Sequence, residues 1–322
     1  MKTALWISIC FSAQAIGETK LVIDHDGGAD DAIAIFEALL YEQYFNGPQV
    51  LAITTTHGNV PEDQAFVNTQ RILNVAKRRD VPIYRGSKNA LTIDVPSDDF
   101  FGTDGLGDLP PRRIRPLPAR PGHAALALIE LTKKYPGEVK VVAVGSFTNI
   151  ALAIRLDPTF LSRVKTLYLA DGREASTPKF NVEQDVEAYY AVAKAATPGK
   201  VTIVYYRSQI NITTEWRRNV LGSLPTVKIR ALNTFERISL NSAEQAQFWY
   251  PLDPLVVATA LNEDLVTEIQ YANNSVVLCG DQRGVLINNF TSEEKANVRV
   301  FHEINSRKYQ TYLYSVFAAE VK

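Results

Sequence analysis

From Lys20 onward, short apolar runs alternate with stretches of helical periodicity, and this alternation limits the folds open to the chain. Leu21-Val22-Ile23 leads into a helical pattern over Ala32 to Tyr44. Val50-Leu51-Ala52-Ile53 is followed by one over Glu62 to Lys77, and then by Val81-Pro82-Ile83-Tyr84. Val139 to Val144 precedes a helix starting near Thr148. Val164 to Leu169 reads as another strand, and Val201 to Val204 follows the Ala-rich stretch Ala188 to Ala196. Strand, helix, strand at this spacing means βαβ units, hence an α/β fold with a mostly parallel open sheet flanked by helices. Thr213 to Gln247 reads as helices with no strand between them, a cap over the sheet edge. Val276 to Leu278, Val285 to Ile287 and Val298 to Phe301 suggest a small C-terminal strand region, closed by an amphipathic helix from about Asn305. The segment Asp98 to Pro121, rich in Gly, Pro and Asp, is too long for an ordinary connection and reads as a lid or surface loop. Without a repeat or a break in composition, residues 16–322 are expected to form one domain.

Charge excludes some partners. Lys plus Arg total 34 against 35 Asp plus Glu, a formal net charge of −1. So balanced a chain has no electrostatic reason to bind nucleic acid or an anionic membrane. Lys2, the apolar run Ala4 to Phe11 and Ala13-Gln14-Ala15 form the pattern of a secretory signal peptide over residues 1–15. The run is far below the ~20 residues of a spanning helix. N-x-S/T sequons at Asn211, Asn273 and Asn289 agree with a secreted glycoprotein; a cytoplasmic location is the alternative. Cys279, at the end of Val276-Val277-Leu278, reads as a buried, inert thiol.

The chemistry concentrates in Leu21-Val22-Ile23-Asp24-His25-Asp26-Gly27-Gly28-Ala29-Asp30-Asp31-Ala32. Along a strand, Asp24 and Asp26 share a side while His25 points away. Gly27 and Gly28 permit a tight turn, and Asp30 and Asp31 fall in the cap and first turn of the next helix. Either alone could simply cap that helix. Four carboxylates in eight residues at the carboxyl end of a strand, where open α/β sheets bind ligands, imply more. Like charges so close need a cation or a shared proton, and all-oxygen donors favour Ca²⁺ or Mg²⁺. An apolar strand ending D-x-D-G also opens the haloacid-dehalogenase phosphatases, which use the first Asp as nucleophile. They lack the Asp pair that follows here.

D-x-D-x-G-x-D-D-A over Asp24 to Ala32 resembles the nucleoside hydrolase family of the inosine-uridine preferring type, Ca²⁺-dependent N-ribohydrolases on a mostly parallel α/β sheet. Leu51-Ala52-Ile53-Thr54-Thr55 with Gly58-Asn59, Gly102-Thr103-Asp104-Gly105-Leu106-Gly107, and Val144 to Ala151 are similar to further family motifs in the same order. So are Phe180-Asn181 with Asp185, Glu187 and Ala188, and Asp253-Pro254-Leu255. The resemblance implies that Asp26, Asp31, Asp253 and the Val144 carbonyl hold Ca²⁺, and that Asp26 is the base that activates water. It places Asp30, Asn59 and Asn181 on ribose hydroxyls, with Asp104 in a loop over the site and Asp24 in support. It implies a homo-oligomer, dimer or tetramer, acting on a small-molecule nucleoside.

The chain departs from the family on the side of the leaving base. Leu252 stands where many relatives carry a His, Phe101 where they carry a loop His, and Lys179 where they carry a Glu. A short Arg173 to Pro178 connection stands where another ribose-binding Asn is expected. Trp249 and Tyr250 are candidates to stack on the base, with Tyr250 or solvent as proton donor. His57, His123 and His302 read as structural. The alternatives to a hydrolase are a catalytically degenerate Ca²⁺- and nucleoside-binding relative and an Mg²⁺ phosphatase of the dehalogenase type.

Overall fold

A computed structural model describes residues 19–108, 115–172, 179–206, 210–243 and 245–321. The expected signal peptide and the Arg173 to Pro178 connection lie outside the described residues. Among the described residues nine strands form one sheet: β1 (Lys20–His25), β2 (Gln49–Thr55), β3 (Ile83–Arg85), β4 (Val139–Ala143), β5 (Thr166–Gly172), β6 (Val201–Tyr206), β7 (Val266–Val276), β8 (Leu286–Phe290) and β9 (Val298–Ile304). The order is β3-β2-β1-β4-β5-β6-β9-β7-β8. Every pair is parallel as far as β6–β9; β7 pairs antiparallel with both β9 and β8. The C-terminal strands thus extend the main sheet instead of standing apart. Expected boundaries fail here most clearly. The run Val276 to Leu278 reads as a strand, but β7 ends at Val276. Residues 277–284 make the turn to β8, so Cys279 is exposed rather than buried.

The central strands are β-branched, apolar and buried on both faces, as parallel strands must be. One core lies under helices α1 (Ala29–Tyr44), α2 (Glu62–Ala76), α9 (Val227–Phe235), α10 (Leu252–Leu261) and α11 (Ser306–Ala318). The other lies under α3 (Ala124–Lys134), α4 (Thr148–Leu156), α5 (Phe160–Arg163) and α7 (Val186–Ala195). Between them in sequence, α6 (Phe180–Gln184) follows β5, and α8 (Thr214–Asn219) opens the all-helical cap segment. α10 is apolar on every side and packs between α1 and the sheet, so its sequence carries no amphipathic signal. No described helix is long and apolar enough to cross a membrane.

From β1 the chain moves to β2 and β3 on one side, then returns to place β4 on the other. Such a reversal opens a crevice outside the carboxyl ends of β1 and β4. Asp26 follows β1 and Val144 follows β4, so the topology alone brings them together.

Within the α1–α11 contact Glu37 is fully buried. Tyr312 Oη donates to its Oε1 at 2.9 Å, and its Oε2 has no partner. Burial pushes this carboxyl well above its ordinary 4.5. The folded chain therefore binds more protons here than the unfolded chain, and stability falls as pH rises from about 4.5 towards the raised folded value. Glu37→Gln keeps the shape and removes that slope. In melts from about pH 5 to 8, the Tm of the parent minus that of E37Q is expected to fall as pH rises.

Candidate active site

The D-G-G turn after β1 sets the site. Gly27 has φ +91°, and a Cβ there would meet Ala65 of α2. With Gly28 as N-cap of α1, Asp31 is the third helical residue. Its Oδ2 accepts the Gly28 N–H at 2.6 Å, half of a capping box, and its Oδ1 accepts the Asp26 N–H at 3.3 Å. Asp26 lies just beyond the strand in a slot between two glycines; a Cβ on Gly58 would run into its carboxylate, and one on Gly145 would lie 2.8 Å from its Cβ. The Asn59 N–H donates to Asp26 Oδ2 at 2.9 Å, while Asp26 Oδ1 is buried without a partner. Asp253 enters from the first turn of α10. Carboxylate oxygens of Asp30, Asp31 and Asp253 come within 4.8 Å of one another. The acidic first turns of two helices thus converge, which their dipoles favour.

Asp26, Asp30, Asp31 and Asp253 form one electrostatic unit. Desolvation pushes the Asp26 and Asp30 carboxyls well above the ordinary range, and the Asp31 charge adds to it. Asp253 is raised likewise, by burial first and then by Asp30, Asp31 and Asp26. Asp24 has a different role. Its Oδ1 accepts from Thr54 Oγ1 at 2.5 Å and from Asn149 Nδ2 at 2.8 Å, and burial lifts it to about 6. It joins β1, β2 and α4 beneath the site, as expected of a supporting residue, and is too enclosed to serve as a nucleophile. Unpartnered buried oxygens, mutual repulsion and an all-oxygen donor set fit a hard divalent cation.

A cleft of about 300 Å³ opens above this floor. Asp30, Asn59, Val144, Asn181 and Asp253 line its inner end. Asn181 Nδ2 donates to the Val144 carbonyl at 3.0 Å, leaving that oxygen a second lone pair. At the outer end stand Phe100, Phe101, Phe180, Tyr250 and Leu252, with Asp98 and Lys179. Two expected substrate contacts are not brought here. Trp249 is buried in the cap, where its Nε1 donates to Glu236 Oε1 at 2.7 Å beside Arg217, because an indole N–H removed from water needs an acceptor. Asp104 serves its own loop, its Oδ1 accepting from Leu106 and Asp108 and its Oδ2 pairing with Arg71 at 2.8 Å. Asp98 and Phe100 line the cleft instead, from a stretch with no distinguishing motif. The three histidines expected to be structural are not among the described residues lining the cleft. His57 contacts Thr148, His123 caps α3, and His302 meets Glu268. His25 leaves β1 towards α2 and Asp24 towards α4, as strand alternation has it; beyond the strand, His25 Nδ1 lies 3.5 Å from Asp31 Oδ1.

The family model for inosine-uridine preferring nucleoside hydrolases matches residues 21–311. The chain belongs to that family. A probable uridine nucleosidase of Arabidopsis thaliana is 37% identical over 183 residues, which span 54% of each chain. The chain thus matches about half the length of that relative. The fold is similar to that of a plant nucleoside hydrolase, at TM-score 0.81 and 25% identity, covering 94% of this chain and 99% of the other. An inosine-guanosine nucleoside hydrolase superposes with TM-score 0.83 at 24% identity, covering 93% and 98%.

Because the buried carboxylates repel one another, removing one should relieve the cation-free fold. Asp253→Asn is expected to raise the Tm in chelator by roughly 1–2 °C, the effect of about 1 kcal/mol on a domain of this size, and to abolish stabilisation by added Ca²⁺. A lower Tm in chelator would contradict this electrostatic reading.

Proposed function

We propose that this cleft hydrolyses the N-glycosidic bond of a ribonucleoside, releasing base and ribose, with Ca²⁺ as cofactor. The carboxylate cluster at the β1/β4 switch point carries the reading, together with family membership. Asp26, Asp31, Asp253 and the Val144 carbonyl would hold the cation, which when bound offsets their charge and lowers the pKa of a nearby water. Asp26 is suited to take the proton at Oδ1, since Asn59 already occupies Oδ2. Asp30, Asn59 and Asn181 line the inner cleft and would hold ribose hydroxyls. As the bond breaks, positive charge builds on the sugar, and the surrounding carboxylates stabilise it.

The outer end is built differently. No histidine is among the described residues lining the cleft; Leu252 and Phe101 both face it. Aromatic walls suit a planar base, and outside the carboxylate cluster the ionisable groups there are Tyr250, Asp98 and Lys179. This observation favours a second reading, a relative that binds Ca²⁺ and nucleoside without turnover. Nothing supports the dehalogenase-type phosphatase, whose nucleophile would be the enclosed Asp24.

Leaving-group protonation contributes about 10²–10⁴-fold in enzymes of this kind. A weak acid at the outer end predicts that 4-nitrophenyl riboside, whose leaving group needs no proton, is cleaved at least about 10²-fold faster than inosine. Asp26→Asn should abolish both activities. Equal rates on the two substrates would point to an efficient acid in the cleft, and full turnover by D26N would refute the assignment.

We also propose secretion, which the exposure of Asn211, Asn273 and Asn289 supports. Intact mass of secreted material is expected to show loss of residues 1–15 and glycan at a sequon. A mature chain retaining Met1 would contradict it. Exposed Ile269, Ile287 and Phe290 along the β7–β8 edge support assembly into a homo-dimer or tetramer with the glycan carried at Asn211, because Asn273 and Asn289 lie on the same two strands.

A further inference from the structure

At the end of the sheet away from the catalytic cleft, a proline-rich stretch presents arginines that no acidic group offsets. In Arg115-Pro116-Leu117-Pro118-Ala119-Arg120-Pro121, three prolines fix their own φ and disfavour helical backbone in the residues before them, so the stretch is stiff and extended. It is also pinned where it lies. Arg79 Nη2 donates to the Arg115 carbonyl at 2.8 Å, the Leu117 N–H to Gln70 Oε1 at 2.7 Å, and the Arg120 N–H to the Ile83 carbonyl at 2.8 Å. The stretch therefore runs beside α2 to the start of β3, at the amino ends of the parallel strands, whereas the catalytic cleft opens at their carboxyl ends.

Two cavities of about 440 and 350 Å³ flank it and meet at Arg79, Leu117 and Pro118, which line both. Arg115 stands at the first and Arg120 at the second, so the two make one groove with three guanidinium groups along it. Asp80 lines the second cavity too, but Arg78 Nε holds its carboxylate at 3.1 Å, and Arg78 also takes up Glu42. Among the described residues no carboxylate pairs with Arg79, Arg115 or Arg120. Guanidinium groups stay charged at every physiological pH and offer a planar fork of donors that suits tetrahedral oxyanions. Extended backbone carries Arg115 and Arg120 roughly 15 Å apart. One small anion cannot touch all three groups, but a linear polyanion can, and each further contact is then intramolecular.

We infer that this groove binds a linear sulfated polysaccharide, with Arg79, Arg115 and Arg120 on successive sulfate groups. No aromatic residue lines either cavity, so nothing there stacks on a nucleobase, which argues against single-stranded nucleic acid. The proposed secretion places the chain among extracellular sulfated sugars, and the choice of ligand class rests on that reading. The groove is independent of the hydrolytic reading, because it shares no residue with the catalytic cleft. With a net charge of −1 the chain has no long-range attraction for polyanions, so the contacts are local and weaken as salt rises.

Two double charge reversals separate the groove from net charge. Arg115→Glu with Arg120→Glu alters side chains that are exposed and make no hydrogen bond among the described residues, so the fold is expected to stand, with thermal melts as the check. Arg155→Glu with Lys194→Glu, exposed on α4 and α7 under the opposite face of the sheet, changes the net charge equally. Affinity of the full-length chain for a heparin decasaccharide would be measured by calorimetry at low and at physiological salt. The parent is expected to bind, more tightly at low salt. R115E/R120E should weaken binding at least about 10-fold and flatten its salt dependence, and R155E/K194E should leave both nearly unchanged. No binding by the parent, or equal losses in the two double variants, would overturn the groove. Binding of single-stranded DNA as tight as that of the decasaccharide would overturn the ligand class. The titration uses purified chain, so its failure is distinct from a failure of secretion, which intact mass tests.

Discussion

Four carboxylates, those of Asp26, Asp30, Asp31 and Asp253, are gathered in a place from which water is largely excluded, and much of the architecture around them manages the consequence. Charges so placed repel and are poorly solvated, which is why three of them are pushed well above their ordinary range. The fold tolerates them through the N-terminal turns of α1 and α10, main-chain N–H groups from Asp26, Gly28 and Asn59, and two glycines that leave Asp26 room. These devices orient the carboxylates more than they neutralise them. On the proposed reading a divalent cation would supply the remainder, and folding energy would then be invested in a site satisfied only when loaded.

The two ends of the cleft follow different logic. The inner end is polar and fixed from the carboxyl ends of several strands, with the Asp24–Thr54–Asn149 contacts holding β1, β2 and α4 in register beneath it. The outer end is apolar and aromatic, drawn from the stretch Asp98 to Phe101, the Tyr250–Leu252 entry to α10 and the start of α6. On the proposed hydrolytic reading, Leu252 and Phe101 there would shift the demands of catalysis towards the sugar side, where charge stabilisation does not depend on the leaving base.

Much of this was legible in the sequence, for physical reasons. Parallel strands announce themselves as short β-branched runs, and the D-x-D-G-G-x-D-D segment joins strand alternation, a turn and a helix start within eight residues. What escaped was set by tertiary context. α10, buried all round, has no period to read. Whether Trp249 faces ligand or cap depends on Glu236, thirteen residues away in sequence and adjacent in space. Asp104 resembles a site residue, but Arg71 and two main-chain N–H groups consume its oxygens. His25 was read by strand alternation, which says which side a residue leaves the strand but not what waits for it beyond the strand's end.

The most direct test of the account is the release of free ribose from inosine and uridine by the purified chain with Ca²⁺, and again with excess chelator. The account predicts ribose and base in equal amounts with Ca²⁺, loss of both with chelator, and recovery when Ca²⁺ is restored. A chain that binds Ca²⁺ yet releases no ribose from either nucleoside would contradict it.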